Sequence, residues 1–330
     1  AAFIPAAAPG KDVWLWEPPA DGLWEVRALH ANALRFDFFQ CEIAAERFDG
    51  GDRQAAPRDV PAAGWKTEIK PAVDLLAHYA GRNLLPFRFS RSFGTPTRIS
   101  MGPAHIRYSA EFTVRAHPGN CLIVMDDSAV TGDFTLEING NPLRRGDFAP
   151  HFVYDPMNRA AEIGHLLVTG TNRLTLTAAA DDESGGLIDP LYLFGNFGVF
   201  PDPENGRIAI DAPPAAVALT DRPAAGFPFY AGTLSLKRDV VIAKLPSRSK
   251  FILRFRDWPA HFHDCAEVWV NGRPLGVRPW LPYEWEGETG WLSPGTNTLE
   301  IRVTNTLSAL FEGAYFDYAT HRLTPVLPQT

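Results

Sequence analysis

The chain has 330 residues, 45% of them hydrophobic and 21% charged, which allows two or three domains with real apolar cores and no need of disulfides or metals to hold them. Its net charge of −7 excludes the basic face that nucleic acid requires. No stretch approaches the roughly 20 uninterrupted apolar residues of a membrane span. The start at Ala1 shows no signal peptide as it stands, and the missing initiating Met leads us to expect a processed chain or a piece of a longer one.

In chain order, Trp14 to Pro19 (WLWEPP) and Asn32 to Ile43 (NALRFDFFQCEI) read as strands, and Pro71 to Gly81 (PAVDLLAHYAG) as a short helix entered by Pro and stopped by Gly. From Ile106 to Val114 apolar and polar residues alternate strictly, as they do in Phe134–Ile138, Phe251–Phe255 and Leu299–Val303. Period two of this kind belongs to antiparallel sheets with one wet face. Ala160 to Leu167 is expected to make one or two helical turns, and Leu191 to Phe200 (LYLFGNFGVF) is an apolar stretch that closes the first of two repeated copies. No run of alternating strands and helices, and none of the GxGxxG, P-loop, HExxH or GxSxG motifs, points to a familiar catalytic scaffold.

A repeat organises the rest. Asn139-Gly140-Asn141-Pro142-Leu143 recurs as Asn271-Gly272-Arg273-Pro274-Leu275, and Leu167–Leu176 (LVTGTNRLTL) recurs as Leu292–Ile301 (LSPGTNTLEI). Asn-Gly supplies the positive φ angles of a tight hairpin, so each copy reads as a hairpin followed by a Gly-Thr-Asn turn into an alternating strand. Tyr108 and Tyr230 are each expected to open an early strand of their copy. The expected architecture is all-β: an incomplete β-rich segment with a short helix (1–85), then two tandem antiparallel jelly-roll β-sandwiches of the galactose-binding-like kind (86–201 and 202–330). The Pro- and Ala-rich stretch 201–223 joins them, with Arg207–Ile210 as an extra strand candidate.

Several of these segments resemble known proteins. Asn32–Gln40 (NALRFDFFQ), Leu191–Val199, Phe227–Thr233 (FPFYAGT), Ala266–Gly276 (AEVWVNGRPLG) and Gly295–Leu307 (GTNTLEIRVTNTL) resemble the C-terminal part of α-L-rhamnosidase-like glycoside hydrolases of family 106. The galactose-binding-like pattern is also similar to the sugar-binding domain of family 2 glycoside hydrolases. The resemblance implies a secreted or periplasmic parent acting on plant or microbial polysaccharide. Its catalytic barrel would precede this segment and be its partner, so the resemblance places no catalytic residue here. A stand-alone lectin-like module, or an interface domain without ligand, is the alternative.

Of nine tryptophans, five (258, 269, 280, 285 and 291) fall within 34 residues, and none lies in 86–201. Aromatic rings pack on the apolar C–H face of sugars, so Trp258, Trp280, Tyr283 and Trp285 are candidate carbohydrate-binding residues, or else cover a sheet. Trp291 aligns with Leu166 and is assigned to the core. Asp182 and Glu183, on a Gly-rich acidic loop, either reach a sugar, ligate Ca²⁺, or are simply solvated. Asp126-Asp127 reads the same way. No other cofactor is expected. Cys41, Cys121 and Cys265 are distant from one another and read as small buried hydrophobes, while His261, His263 and Cys265 lack the further ligands a zinc site needs.

Overall fold

The computed structural model describes residues 12–36, 38–45, 66–71, 104–180, 186–202, 207–219, 225–259, 262–317 and 322–325. They form two compact units, one of Ala1–Asn32 with Pro213–Gln329 and one of Ala33–Ala212. The all-β sandwich expectation holds in each.

Strands β1 (Val13–Trp16) and β2 (Leu23–Ala28) belong to the first unit. The second unit is built from β3 (Asn32–Phe36), β4 (Phe38–Ala45), β5 (Lys66–Pro71), β6 (Ala104–Val114), β7 (Cys121–Asp126), β8 (Val130–Thr131), β9 (Phe134–Ile138) and β10 (Asn141–Arg144). It continues through β11 (Ala149–Pro150), β12 (Asn158–Glu162), β13 (Gly170–Ala180), β14 (Gly186–Leu187), β15 (Leu191–Gly195), β16 (Gly198–Asp202) and β17 (Arg207–Asp211). One sheet runs β10-β9-β13-β6-β17-β16, with β4 also on β6 and β5 on β4; another runs β11-β12-β7-β15-β3, and β8 pairs with β14. The apolar half of each alternating strand turns inward, so Tyr108, Phe112, Leu136, Ile138, Leu174 and Leu176 are buried. Contact across the core is made by Phe36 against Phe112, ring centroids 5.5 Å apart.

The remaining strands complete the first unit: β18 (Ala216–Ala218), β19 (Thr233–Ile242), β20 (Lys250–Arg254), β21 (Cys265–Val270), β22 (Arg273–Arg278), β23 (Glu284–Glu288), β24 (Gly295–Thr304), β25 (Ala314–Asp317) and β26 (Arg322–Pro325). Its sheets run β18-β2-β19-β24-β21-β22 and β1-β20-β23, with β25 and β26 as a separate hairpin. Trp24 of β2 meets Phe255, just past β20, at 6.0 Å.

The two units share one strand plan. Strands β6, β7, β9, β10, β12 and β13 pair in the same pattern as β19, β20, β21, β22, β23 and β24. The flanks differ. Strands from the segment 1–85 are divided: β1 and β2 pair with β20 and β19 of one unit, whereas β4 pairs with β6 of the other. The strand candidate at 207–210 exists and lies parallel to β6, in the unit that ends at Ala212.

Two local expectations change, and a third falls almost wholly outside the described residues. Ala160 to Leu167 is not helical: Ala160 and Ala161 lie in β12 opposite Val124 and Ile123, and only Gly164–Leu166 makes a 3₁₀ turn. Cross-strand pairing of a buried apolar run overrides alanine's helix preference there. The expected helix at Pro71–Gly81 begins on the last residue of β5, and its remainder lies outside the described residues. Tyr108 and Tyr230 are not counterparts, because Tyr108 stands opposite Leu176 and the matching position opposite Ile301 is Leu236. Tyr230 precedes β19 and donates its hydroxyl to the Thr233 carbonyl at 2.7 Å.

Candidate functional site

The repeated motifs build the same device twice. Asn139 and Gly140 turn the β9–β10 hairpin with φ of 54° and 79°; Asn271 and Gly272 turn β21–β22 with 47° and 77°. These left-handed angles suit Asn followed by Gly and little else. The hairpin Asn then reaches the Asn of the Gly-Thr-Asn turn: Asn139 Nδ2 donates to Asn172 Oδ1 at 2.8 Å, and Asn271 Nδ2 to Asn297 Oδ1 at 2.9 Å. Each hairpin amide also donates to a 3₁₀-turn carbonyl, Leu166 in one unit and Trp291 in the other. Asn172 and Asn297, 0% and 1% exposed, donate back to the carbonyls of Val168 and Gly170, or of Ser293 and Gly295. A buried amide satisfied on both its oxygen and its nitrogen fixes the end of the sandwich from which the next loops spring.

Trp291 therefore does align with Leu166, but neither is in the core; both are half-buried, and Leu167 and Leu292 supply the buried side chain. The 3₁₀ turn rotates the burial by one residue.

Between the hairpin and the following strand each unit carries a loop. In the first unit it is 279–283, and there the expected sugar-binding residues separate. Trp280 is 73% exposed and Leu281 56%. Tyr283 is buried, and its hydroxyl donates to the Asp264 carbonyl at 2.9 Å; burial pushes the phenol above its ordinary value. Trp285 is fully buried, and Trp258 is half-buried against the core. Trp258, Phe255, Phe262, Tyr283 and Trp285 form one aromatic cluster, with Trp258 lying 4.7 Å from Phe262 and 5.2 Å from Tyr283. Tyr283 and Trp285 thus offer a ligand no ring face, because alternation with Glu284 and Glu286 turns both inward along β23. Of the four aromatic candidates, Trp280 alone stands free in solvent.

In the second unit the corresponding loop is 151–157. Tyr154 anchors it, donating its hydroxyl to Asp126 and meeting Tyr192 and Phe194 edge-on or tilted. Asn158, fully buried, accepts from the Tyr154 and Asp155 amides at 3.0 Å each and donates to Asp126 at 2.8 Å. The tip presents Phe152 (71% exposed) and Met157 (59%). These two escaped the sequence reading; the available signal was an apolar residue pair in a loop punctuated by Pro150 and Pro156.

The acidic candidates fare differently. Asp126 is engaged as just described, and Asp127 pairs with Arg159 at 2.9 Å. Asp182 and Glu183 lie outside the described residues, as does His261. Among the described residues no group of three or more His, Cys, Asp or Glu side chains is arranged to hold a metal. Cys121 is buried, and desolvation, helped by the charge of Glu162, pushes its thiol up to about 12, which leaves it unreactive while folded. Cys265 sits half-buried on β21, and burial raises it too. On the outer face of the six-stranded sheet, burial raises the Glu300 carboxyl, but hydrogen bonds from Arg302 and Ser235 and the charges of Arg302 and Lys237 outweigh it and hold the group below its ordinary value.

The FPFYAGT segment is a tight entry to β19. Gly232 has φ 153°, and a Cβ there would stand 2.7 Å from His30 Nδ1, so only glycine fits.

No protein-family model and no curated protein matches the chain. Its structural neighbours include family 2 glycoside hydrolases at low identity. A member of that family from Bacteroides cellulosilyticus aligns over 83% of this chain and 31% of its own, at 14% identity and a TM-score of 0.27. A β-glucuronidase from Ruminococcus gnavus aligns over 86% and 41%, at 10% identity and 0.30. A family 2 β-galacturonidase from Eisenbergiella tayi aligns over 85% and 37%, at 12% identity and 0.27. The chain spans between three and four tenths of the length of these neighbours.

Proposed function

We propose that this chain is a carbohydrate-contacting, non-catalytic region of a larger exported glycoside hydrolase, α-L-rhamnosidase-like in kind, in which it accompanies an N-terminal catalytic barrel. The observation that carries the reading is Trp280: an indole 73% exposed on a loop whose far end is pinned through Tyr283. Holding a large apolar ring in water is unfavourable unless a ligand covers it, and a pyranose C–H face is a ring-sized cover. Three carboxylates beside the loops are committed to protein partners, which supports binding over hydrolysis there: Glu284 to Arg254, Asp126 to Tyr154 and Asn158, Asp127 to Arg159. A hydrolase needs two carboxyl groups free to face a glycosidic bond.

Electrophoresis of the purified chain through gels containing rhamnogalacturonan, arabinogalactan or xylan tests this. We expect retardation by at least one polysaccharide, clearly weaker retardation of Trp280→Ala, and no release of nitrophenol from aryl rhamnosides. Free migration in every gel would favour an interface domain without ligand, and turnover lost in Asp182→Ala or Glu183→Ala would overturn the non-catalytic reading.

A further inference from the structure

We infer that the loop 151–157 of the second unit is another glycan-contacting platform, so that the chain engages polysaccharide through two sites, one per sandwich. The inference rests on the carbohydrate reading of Trp280 and extends it to residues of a different unit.

Position comes first. The loop 151–157 leads from β11, which follows the hairpin β9–β10, into β12, as 279–283 leads from the hairpin β21–β22 into β23, and the same Asn–Asn lock fixes the hairpin in both. Construction follows the same rule in each. A tyrosine is tied by its hydroxyl, Tyr154 in mid-loop to Asp126 and Tyr283 at the loop's end to the Asp264 carbonyl, and an aromatic ring two or three residues upstream is left in water. The loop 151–157 is held further by the buried Asn158 and by Asp155, which accepts the Met157 amide at 2.7 Å. A loop tied at this many points does not fold its exposed side chains away, so Phe152 and Met157 remain presented at 71% and 59% exposure. Such preorganisation lowers the ordering cost of binding.

Size selects the occupant. Each loop offers one exposed ring and one further exposed apolar side chain, Phe152 and Met157 in one and Trp280 and Leu281 in the other. That surface is far below the roughly 1,000 Å² a specific protein interface needs. It matches one or two pyranose rings. Weak sites of this size become useful on a polymer, where a second contact gains from the effective concentration set by the first.

The test is calorimetric titration of the full chain with a short oligosaccharide cut from whichever polysaccharide retards it, alongside gel retardation by the intact polymer. We expect two oligosaccharides bound per chain, one in Phe152→Ala and one in Trp280→Ala. On the polymer, each single variant should weaken retardation about tenfold and the double variant abolish it. Phe152→Tyr keeps the ring and should bind as the unchanged chain does. All variants should melt as the unchanged chain, because both rings are exposed. A stoichiometry of one that vanishes in Trp280→Ala and persists in Phe152→Ala would overturn the second platform while leaving the carbohydrate reading intact. Absence of any binding by the unchanged chain would overturn both.

Discussion

The two sandwiches are the same machine with different surroundings. Each closes one end with a hairpin Asn bonded to a buried Asn on the adjoining strand, through the same set of donors and acceptors, although little else in the two sequences agrees. What borders the shared strands is recruited from different parts of the chain: β1 and β2 from near the beginning in one unit, β15 and β17 from downstream in the other. The comparison shows where the constraint lies. The buried Asn172 and Asn297 tolerate no substitute that leaves their partners unpaired, whereas an edge position accepts a strand of any origin with a suitable apolar face.

The largest effect is expected in the aromatic cluster of the first unit. Trp285→Ala removes a fully buried indole and should cost about 3–5 kcal/mol, measured by chemical denaturation, with loss of one unit's transition and retention of the other's. Equal loss in both transitions would mean that the units do not unfold separately. Next come the paired amides. Asn172→Ala and Asn297→Ala each strand several buried donors and acceptors, so each should destabilise its own unit by about 2–4 kcal/mol. Similar values are required if the two locks are equivalent; a near-neutral result in either would break the equivalence.

A smaller effect separates the outer sheet face of the first unit by its charge. Glu300 has its folded pKa held below the unfolded value of about 4.5, so its contribution is present above that pH and is lost as pH falls through the folded pKa. Glu300→Gln should therefore cost about 1 kcal/mol at neutral pH, and the difference should shrink toward zero in acid. A cost independent of pH would show that packing, and not charge, is what the residue supplies.

Much of this fold is legible along the chain because it is local. Period-two alternation marks β6, β9 and β24, and Asn-Gly marks both hairpins at their true positions. The flanks are not legible. The pairing of β1 with β20 joins residues such as Trp14 and Phe251 in parallel, and nothing near either announces the other. Parallel and long-range pairs carry no turn to fix their register. The site was half legible. The concentration of tryptophan after residue 258 marks the segment that carries the exposed Trp280, yet the alternation Tyr283-Glu284-Trp285-Glu286 already sets Tyr283 and Trp285 on the inner side of the segment. Phe152 and Met157 were hidden because one ring in a loop has no period.

The sharpest contrast is between two tryptophans five residues apart, Trp280 in solvent and Trp285 in the core. Measuring polysaccharide retardation and thermal melting together for Trp280→Ala addresses the central claim directly. We expect binding to be lost or much weakened while stability stays within about 0.5 kcal/mol of the unchanged chain. Undiminished binding by a well-folded Trp280→Ala chain would contradict it.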